Sequence, residues 1–414
     1  MNVAPARKPD VSAYAWLVFA LTFGLLISDY MARQVLSALF PLLKAEWHLT
    51  DSQLGLLSGV VAITVGLLTC PVSLLADRVG RARSIAAMAV LWSLATLLCG
   101  LATNYDQMLA ARVLVGVGEA AYGSVGIAVI ISVFPERLRS TLTGAFMAGG
   151  LAGQVLGVAV GGAVAAAHGW RVAFMAIGAA GLLMAVIYPL VVSEARLRGQ
   201  AVTQAARVRL TDLPALFSGR ALNSAYVASG VQLFVAGALP AWLPTYFIRY
   251  YGLSLKPATS LAALFLALGG GGMILCGMIS DKFMRGTRER ARLSAFYALA
   301  CAATLTAAFA SGPGSIQLLL LGLGMFFAAA HAGPSGAMVA ALTPAALHGT
   351  AFAVLTLANN AFGLAPGPIV TGWIADRVGL LGALQLLPLA SLAAALVFII
   401  GSRAQPTAIV AAAA

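Results

Sequence analysis

Four charged side chains lie within long apolar stretches of the sequence, and they are the residues best placed to do chemistry. Asp29 and Arg33 are four residues apart in one stretch, and Arg112 and Glu119 are seven apart in another. Both spacings put the two side chains on one face of a helix. A charge at membrane depth costs at least about 2.5–3.5 kcal/mol, so such residues usually mark a functional site.

The apolar stretches that carry these charges dominate the chain. Of its 414 residues, 61% are hydrophobic and only 9% are charged, whereas a soluble protein is about 25% charged. Several runs exceed the roughly 18 apolar residues that are needed to cross a bilayer. We therefore predict an all-α integral membrane protein.

Hydropathy and turn signals predict twelve transmembrane helices. We expect residues 1–193 and 219–414 to form two pseudo-symmetric six-helix bundles, joined by a cytoplasmic linker at residues 194–218 that lies partly on the membrane surface. The predicted spans lie near residues 13–40, 52–76, 83–103, 107–133, 138–166, 171–193, 219–248, 257–280, 291–311, 315–341, 347–374 and 378–402.

The basic residues predict the orientation. If the N-terminus is cytoplasmic, 18 of the 25 lysines and arginines fall on the cytoplasmic side and five on the outer side. This bias predicts that both termini are cytoplasmic. It also explains the net charge of +12 without a nucleic-acid partner, because these loops face anionic membrane lipid. We expect a multi-pass protein of the bacterial inner membrane.

Two cytoplasmic turns repeat one pattern in the two halves. "SLLADRVGRAR" at residues 73–83 and "GMISDKFMRGTR" at residues 277–288 place their acids 204 residues apart, close to half the chain. Such a duplication is typical of secondary transporters, whose site lies between the repeats. The residues of these turns that we predict to gate the transporter are Asp77, Arg78, Arg81, Asp281 and Lys282.

These turns resemble the signature loop of the major facilitator superfamily, G-x-x-x-D-R-x-G-R-R/K, although Ser73 replaces the leading glycine in the first copy. "LAARVLVGVGEA" at residues 109–120 is similar to the family's helix-4 motif, and "HGWRVAF" at residues 168–174 to its helix 5–6 junction. The region around Arg33 resembles the spinster-like and anion–cation symporter branches. The resemblance implies a monomeric transporter of a sugar acid, another organic anion, or a lysolipid or sphingolipid phosphate.

The sequence "DYMAR" departs from the N-Y-x-D-R pattern of the spinster-like branch. Ala32 stands where that pattern has its acid, and Asp29 stands where it has asparagine. The acid therefore shares the helix face of Arg33. Asp29 is expected either to pair with Arg33 or to serve as a relocated proton site.

A mechanism follows from these four residues. We predict that Arg33 and Arg112 bind the anion, and that Glu119 and Asp29 couple transport to protons. Protonation of Glu119 would release Arg112 for the substrate. The alternative is that both acid–base pairs are static and only fix helix packing.

The depth of the charges follows from the rise of about 1.5 Å per residue. Counting inward from the expected outer ends near Phe40 and Asp106 puts both arginines roughly 10 Å deep and both acids roughly 16–20 Å deep. The expected arrangement is a basic tier nearer the outer face and an acidic tier near the midplane.

Apart from Arg220 and Arg292 at their cytoplasmic ends, the spans of the second half contain no charged residue, so we expect neutral polar side chains to complete the substrate site. Each is also a common helix-packing hydrogen bonder. The further residues predicted to contact the substrate are Tyr122 in the first half and Tyr226, Gln232, His331, Asn359 and Asn360 in the second.

Other classes of function fit the sequence less well. It has no nucleotide-binding motif and no metal cluster or nucleophile–base pair, so we predict no cofactor and no enzyme activity. The alternative is a proton-driven exporter of hydrophobic compounds, with Met147, Phe234 and Trp242 on its cavity walls. Against it, Gly157 of the antiporter-like glycine series is followed by Val158 rather than by the usual proline.

Overall fold

The computed structural model describes residues 12–194, 197, 216–217, 219–344 and 347–404, without the side chains of Asp77, Glu136 and Ser140. These residues form fifteen α-helices and one π-helical turn. In chain order they are α1 (Ala13–Trp47), α2 (Asp51–Val79), α3 (Arg81–Leu101), α4 (Tyr105–Glu119), α5 (Tyr122–Val133), α6 (Glu136–His168), α7 (Trp170–Val191), α8 (Arg220–Tyr251), α9 (Leu255–Phe283), α10 (Thr287–Ala310), α11 (Ser315–Ala328), α12 (Ala332–Leu342), α13 (His348–Asn359), the π turn (Asn360–Leu364), α14 (Pro366–Gln385) and α15 (Leu387–Arg403).

The helices group into the twelve predicted spans, six in each half. The fourth span consists of α4 and α5, and the tenth of α11 and α12. Eleven helical stretches of the described chain are long and apolar enough to cross a membrane, and Leu387–Arg403 is apolar but shorter. Within α14 the backbone turns at Gly379 (φ 78°, ψ 161°), so the twelfth span begins at Leu380.

The first helix is longer than predicted, and this changes the depth of its charges. α1 continues through Pro41 to Trp47, because packing within a membrane protein tolerates a proline that would break an isolated helix. Arg33 is therefore 14 residues from the end of α1, or about 21 Å at 1.5 Å per residue. The expected value of roughly 10 Å was counted from Phe40, and counting from the observed end of α1 roughly doubles it.

Glycines of α6 hold α1 in the first half. A Cβ atom on Gly153 would lie 2.6 Å from the carbonyl oxygen of Ile27, and one on Gly157 would lie 2.9 Å from that of Met31. Only glycine permits so close an approach between helix backbones. The glycine series therefore seats the charged helix against α6.

The two halves meet at one membrane face. We call the face that contains Trp47 and Asp51 the outer face, following the charge bias, and the opposite one the inner face. At the outer face, the rings of Phe40 in α1 and Trp242 in α8 have centroids 5.1 Å apart. A Cβ atom on Gly55 of α2 would collide with the carbonyl oxygen of Pro368 in α14. The halves are therefore packed together at their outer ends.

The predicted linker, residues 194–218, lies almost wholly outside the described residues. Glu194 is described, and its carboxylate accepts hydrogen bonds from the backbone N–H groups of Arg81 (3.3 Å) and Ala82 (2.9 Å). An acid at a helix N-terminus satisfies backbone donors that have no partner within the helix. Glu194 therefore caps α3 at the inner face.

Candidate functional site

Arg33 and Glu119 form an ion pair between α1 and α4. Nε and Nη2 of Arg33 donate to the same oxygen, Oε2 of Glu119, over 3.0 and 2.7 Å. The Glu119 side chain is fully buried, whereas that of Arg33 is 22% exposed. The arginine is therefore partly accessible and the acid is not.

The local structure of α4 positions Glu119. It is the last residue of α4, and Ala120 and Ala121 interrupt the span before α5 begins. The Thr69 hydroxyl of α2 donates to the Ala120 carbonyl oxygen over 2.6 Å. Glu119 is 14 residues from the outer end of α4, about 21 Å, which is the depth of Arg33. Interrupted helices at such depths are typical of ion and substrate sites in transporters.

Asp29 lies beside this pair and interacts electrostatically with both Glu119 and Arg33. Its Oδ1 atom and the Oε1 atom of Glu119 are buried and have no hydrogen-bond partner. Asp29 and Arg33 are both described, and no ion pair within 4.0 Å joins them. Arg33 pairs instead with Glu119 of another helix. Two adjacent carboxyl groups with free oxygens can share one proton.

Arg112 makes different contacts from those expected of a substrate ligand. It is fully buried, and it donates to the backbone carbonyl oxygens of Leu57 (3.2 Å), Ala32 (2.9 Å) and Arg33 (3.1 Å). The expected hydrogen bond with Glu119 is therefore taken by Arg33. Through these contacts Arg112 ties α4 to α1 and α2, and it adds a positive charge to the cluster.

Tyr122, predicted to contact the substrate, lies in the packed core of the first half. It is fully buried, and its hydroxyl donates to the carbonyl oxygen of Thr22 over 2.5 Å. Its ring packs edge-on against Trp92, with centroids 4.9 Å apart. These are the contacts of a residue that packs α5 against α1 and α3.

In the second half, His331 lies at the interruption between α11 and α12. Its Nε2 atom is 3.2 Å from the carbonyl oxygen of Ser229, and the Ser229 hydroxyl donates to Oδ1 of Asn359 over 2.8 Å. Gln232 donates to the carbonyl oxygen of Ala328 over 3.3 Å. Neutral polar groups of α8 therefore stabilise this interruption.

Tyr226 and Asn360 carry polar atoms that the protein leaves unpaired. The Tyr226 hydroxyl and Oδ1 of Asn360 are buried without a hydrogen-bond partner. Asn360 begins the π-helical turn, and a Cβ atom on Gly66 of α2 would lie 3.0 Å from its Cβ atom. Asn360 thus lies against the first half.

Comparison with known proteins identifies the family. Residues 22–368 match the sequence profile of the Major Facilitator Superfamily. The chain belongs to this superfamily. It is similar to a probable L-galactonate transporter of Escherichia coli (strain K12), at 27% identity over 337 residues, which are 77% of this chain and 74% of that protein. It is also similar to Protein spinster of Drosophila melanogaster, at 26% identity over 257 residues, which are 62% of this chain and 42% of that protein.

Solved structures show the same fold. A bacterial homolog of the human lysosomal transporter spinster, crystallised in an inward-facing and occupied conformation, superposes with a TM-score of 0.85 at 20% identity, covering 96% of this chain and 98% of that one. The predicted superfamily fold is confirmed, and so is the prediction that the protein is a transporter and not an enzyme.

The superfamily's signature turns lie at the inner face, and their predicted gating role stays a prediction. The side chain of Asp77 lies outside the described residues, and Arg78 is exposed. Asp281 is 3.6 Å from Arg290, with 76% of its side chain exposed. The Lys282 ammonium lies 5.4 Å from the centroid of its neighbour Phe283.

One of the three residues expected to line the cavity of a hydrophobic-compound exporter is buried in packing contacts. Trp242 is fully buried, and its indole N–H donates to the carbonyl oxygen of Pro368 over 3.2 Å. It packs the outer ends of the halves together and does not line an open cavity.

Sequence reasoning missed an ionic cluster at the outer face. The Asp51 carboxylate pairs with Lys44 (2.6 Å) and with both terminal nitrogens of Arg249 (2.8 Å each). Asp376 accepts hydrogen bonds from the backbone N–H groups of Asp51 (2.7 Å) and Ser52 (2.9 Å). A signal was present, because the pentapeptide ADRVG of the first signature turn recurs at residues 375–379.

Proposed function

We propose that the protein is a proton-coupled transporter of a small organic anion that works by alternating access. The observation that carries this proposal is the Arg33–Glu119 pair, in which the cation is partly exposed and the acid is buried. The free oxygens of Asp29 and Glu119 next to it supply a place for a proton.

The charges of the cluster support coupling between the proton and the anion. With all groups ionised, Asp29 and Glu119 balance Arg33 and Arg112, which interact with them electrostatically. An uncompensated charge at this depth is strongly unfavourable. A monoanion that enters the balanced cluster therefore favours the uptake of one proton.

The acid pair is the group that takes this proton. A carboxyl–carboxylate hydrogen bond between Asp29 and Glu119 would satisfy both unpaired oxygens, and it would reduce the negative charge that holds Arg33. The freed guanidinium presents a planar fork that suits a carboxylate and that keeps its charge at any physiological pH. Release of the anion and the proton on the other side restores the Arg33–Glu119 pair.

For the substrate we favour a sugar acid over a lipid. A single exposed arginine matches one carboxylate, and neutral groups such as Asn360 suit the hydroxyls of a sugar. The similarity to the probable L-galactonate transporter spans 74% of that protein, whereas the similarity to Protein spinster spans 42% of it. We further propose a monomer in the bacterial inner membrane with both termini in the cytoplasm.

The test is uptake into liposomes that contain the purified protein. Sugar acids, aromatic acids and lysolipids are offered with and without an inward proton gradient. We expect a sugar acid to accumulate only with the gradient. Accumulation of a lysolipid alone would overturn the substrate class, and accumulation that ignores the gradient would overturn the coupling.

A variant of Glu119 tests the proposed proton site. Glu119→Gln gives the cluster a net charge of +1 even when no proton is bound, so the anion no longer needs a proton to enter. We expect this variant to lose gradient-driven accumulation and to keep exchange of internal for external substrate. Glu46→Gln is the matched control, because Glu46 pairs with Arg171 near the outer face and is 39% exposed. Normal gradient-driven accumulation by Glu119→Gln would contradict the assignment.

A further inference from the structure

The pentapeptide ADRVG occurs twice, once at each membrane face. Residues 76–80 end α2 at the inner face, and residues 375–379 end the eleventh span at the outer face. Both copies close on a glycine in a conformation that disfavours other residues, Gly80 with φ 113° and Gly379 with φ 78°. The outer copy therefore builds a tight turn between spans, as the inner copy does.

Asp376, the acid of the outer copy, contacts the other half of the protein. Its two carboxylate oxygens accept hydrogen bonds from the backbone N–H groups of Asp51 and Ser52, and the Ser52 hydroxyl donates to it as well. These donors are the first residues of α2, where N–H groups have no partner within the helix. A carboxylate at this position also interacts favourably with the helix dipole.

Asp51 makes the reciprocal contact. It belongs to the first half, and it binds Arg249 of the second half through two parallel hydrogen bonds of 2.8 Å. Its side chain is only 4% exposed, and Lys44 of its own half lies 2.6 Å from it. Paired hydrogen bonds between arginine and carboxylate are among the strongest ionic contacts in proteins.

We propose that Asp376, Asp51 and Arg249 form a second gating site, which holds the outer face closed and must separate before that face opens. The contacts join the two halves beside apolar packing such as that of Phe40 against Trp242. The inference rests on alternating access and needs no assumption about the substrate.

The polar nature of these contacts suits a gate. When the outer face opens, water can replace every hydrogen bond that Asp376 and Asp51 lose, because both lie at the end of a helix. The difference in free energy between the closed and open states then stays small enough for the transporter to pass between them. Asp376 and Asp51 therefore set the balance between the states and do not bind substrate.

The test measures the distance between the halves at the outer face. Exposed Asp106 at the start of α4 and exposed Ser315 at the start of α11 are changed to cysteine and spin-labelled, with the exposed Cys70 changed to serine. Distances are measured by pulsed electron paramagnetic resonance in nanodiscs without substrate. In the labelled protein without a gate substitution, we expect mainly the short distance between the labels, which corresponds to a closed outer face.

Asp376→Ala should shift the ratio of short to long distances by about fivefold toward the long one, the size of one lost interaction with a helix terminus. Asp376→Asn, which keeps an acceptor oxygen, should shift it less in the same direction. Arg249→Gln should shift it by about tenfold or more, because it removes both hydrogen bonds between Arg249 and Asp51 and leaves only Lys44 of the same half beside that acid.

Arg377→Gln is the matched control within the same turn. The Arg377 guanidinium stacks on Trp373 at 3.6 Å and donates to the Trp373 carbonyl oxygen, so its ring contact and its hydrogen bond both lie within its own helix. It should leave the distances unchanged. Unchanged distances in both Asp376→Ala and Arg249→Gln would overturn the proposal, as would an equal shift in Arg377→Gln.

Discussion

The fourth span of the first half and the tenth span of the second half are interrupted at comparable places, but their chemistry differs. In the first half the interruption follows Glu119, which pairs with Arg33 across helices. In the second half it contains His331, which contacts only the neutral carbonyl of Ser229 among the hydrogen bonds of the described residues. One scaffold, used twice, therefore carries ionic chemistry in one half and neutral polar chemistry in the other.

This difference suggests a division of labour between the halves. A cluster of charges inside a membrane has a high free-energy cost, which is smallest where the charges balance. If the first half holds all four charges of the central cluster, the second half can move past it during alternating access without breaking ion pairs at the centre of the membrane. Among the described residues, the ion pair that joins the two halves, Asp51 with Arg249, lies at the outer face.

The most damaging change should be at Arg33. Truncating one partner of a buried, hydrogen-bonded charge pair costs roughly 2–5 kcal/mol, so Arg33→Ala should weaken substrate binding by at least about 30-fold. Arg33→Lys should recover part of the loss, because it keeps the charge and loses the planar fork. Isothermal titration with the substrate measures both. Arg171→Ala, which removes an exposed arginine near the outer face, is the control and should bind normally.

The second change separates the two arginines of the first half. Arg112→Leu should lower the free energy of unfolding by about 2–3 kcal/mol, because Arg112 holds three backbone carbonyl oxygens. In the protein that still folds, substrate affinity should fall less than in Arg33→Ala. Thermal unfolding in detergent and the same titration measure the two effects. A larger loss of affinity than in Arg33→Ala would restore Arg112 as a direct ligand.

The smallest effect should come from the second half. His331→Gln keeps a donor for the Ser229 carbonyl, and a hydrogen bond between membrane helices is worth about 0.6 kcal/mol on average. Transport should therefore change by less than about threefold, and its dependence on the proton gradient should not change. Loss of that dependence in uptake assays would show that both halves carry protons and would remove the contrast between them.

The sequence predicted the elements of the fold well and their contacts less well. Uniform apolar runs and turn signals predicted twelve spans, and the repeated turns predicted two similar halves; the structure and the family match confirm the fold. The predicted first span ended too early at Phe40, because packing lets α1 continue through Pro41 to Trp47.

The partners of the charged residues were beyond the sequence. Spacing along one helix favoured Asp29 with Arg33 and Arg112 with Glu119, yet the distance between α1 and α4 decides the pairing. That distance is held by contacts such as the hydrogen bonds that Arg112 donates to the carbonyl oxygens of Ala32 and Arg33. Such contacts between helices far apart in the chain leave no mark in a local pattern.

The outer gate was visible in the sequence in a way that hydropathy does not capture. The second ADRVG lies at the junction of the last two predicted spans, at the predicted outer face, where only an internal comparison of the halves would have found it. Its function depends on the first residues of α2, which are 325 positions away from Asp376.

The central claim is that a monoanion enters the charged cluster together with one proton. The most direct test is uptake of the identified substrate into liposomes in which the membrane potential and the pH difference are set independently. The account predicts uptake that follows the pH difference and does not respond to the potential, because the two charges cancel. Uptake that follows the potential at equal pH would contradict it.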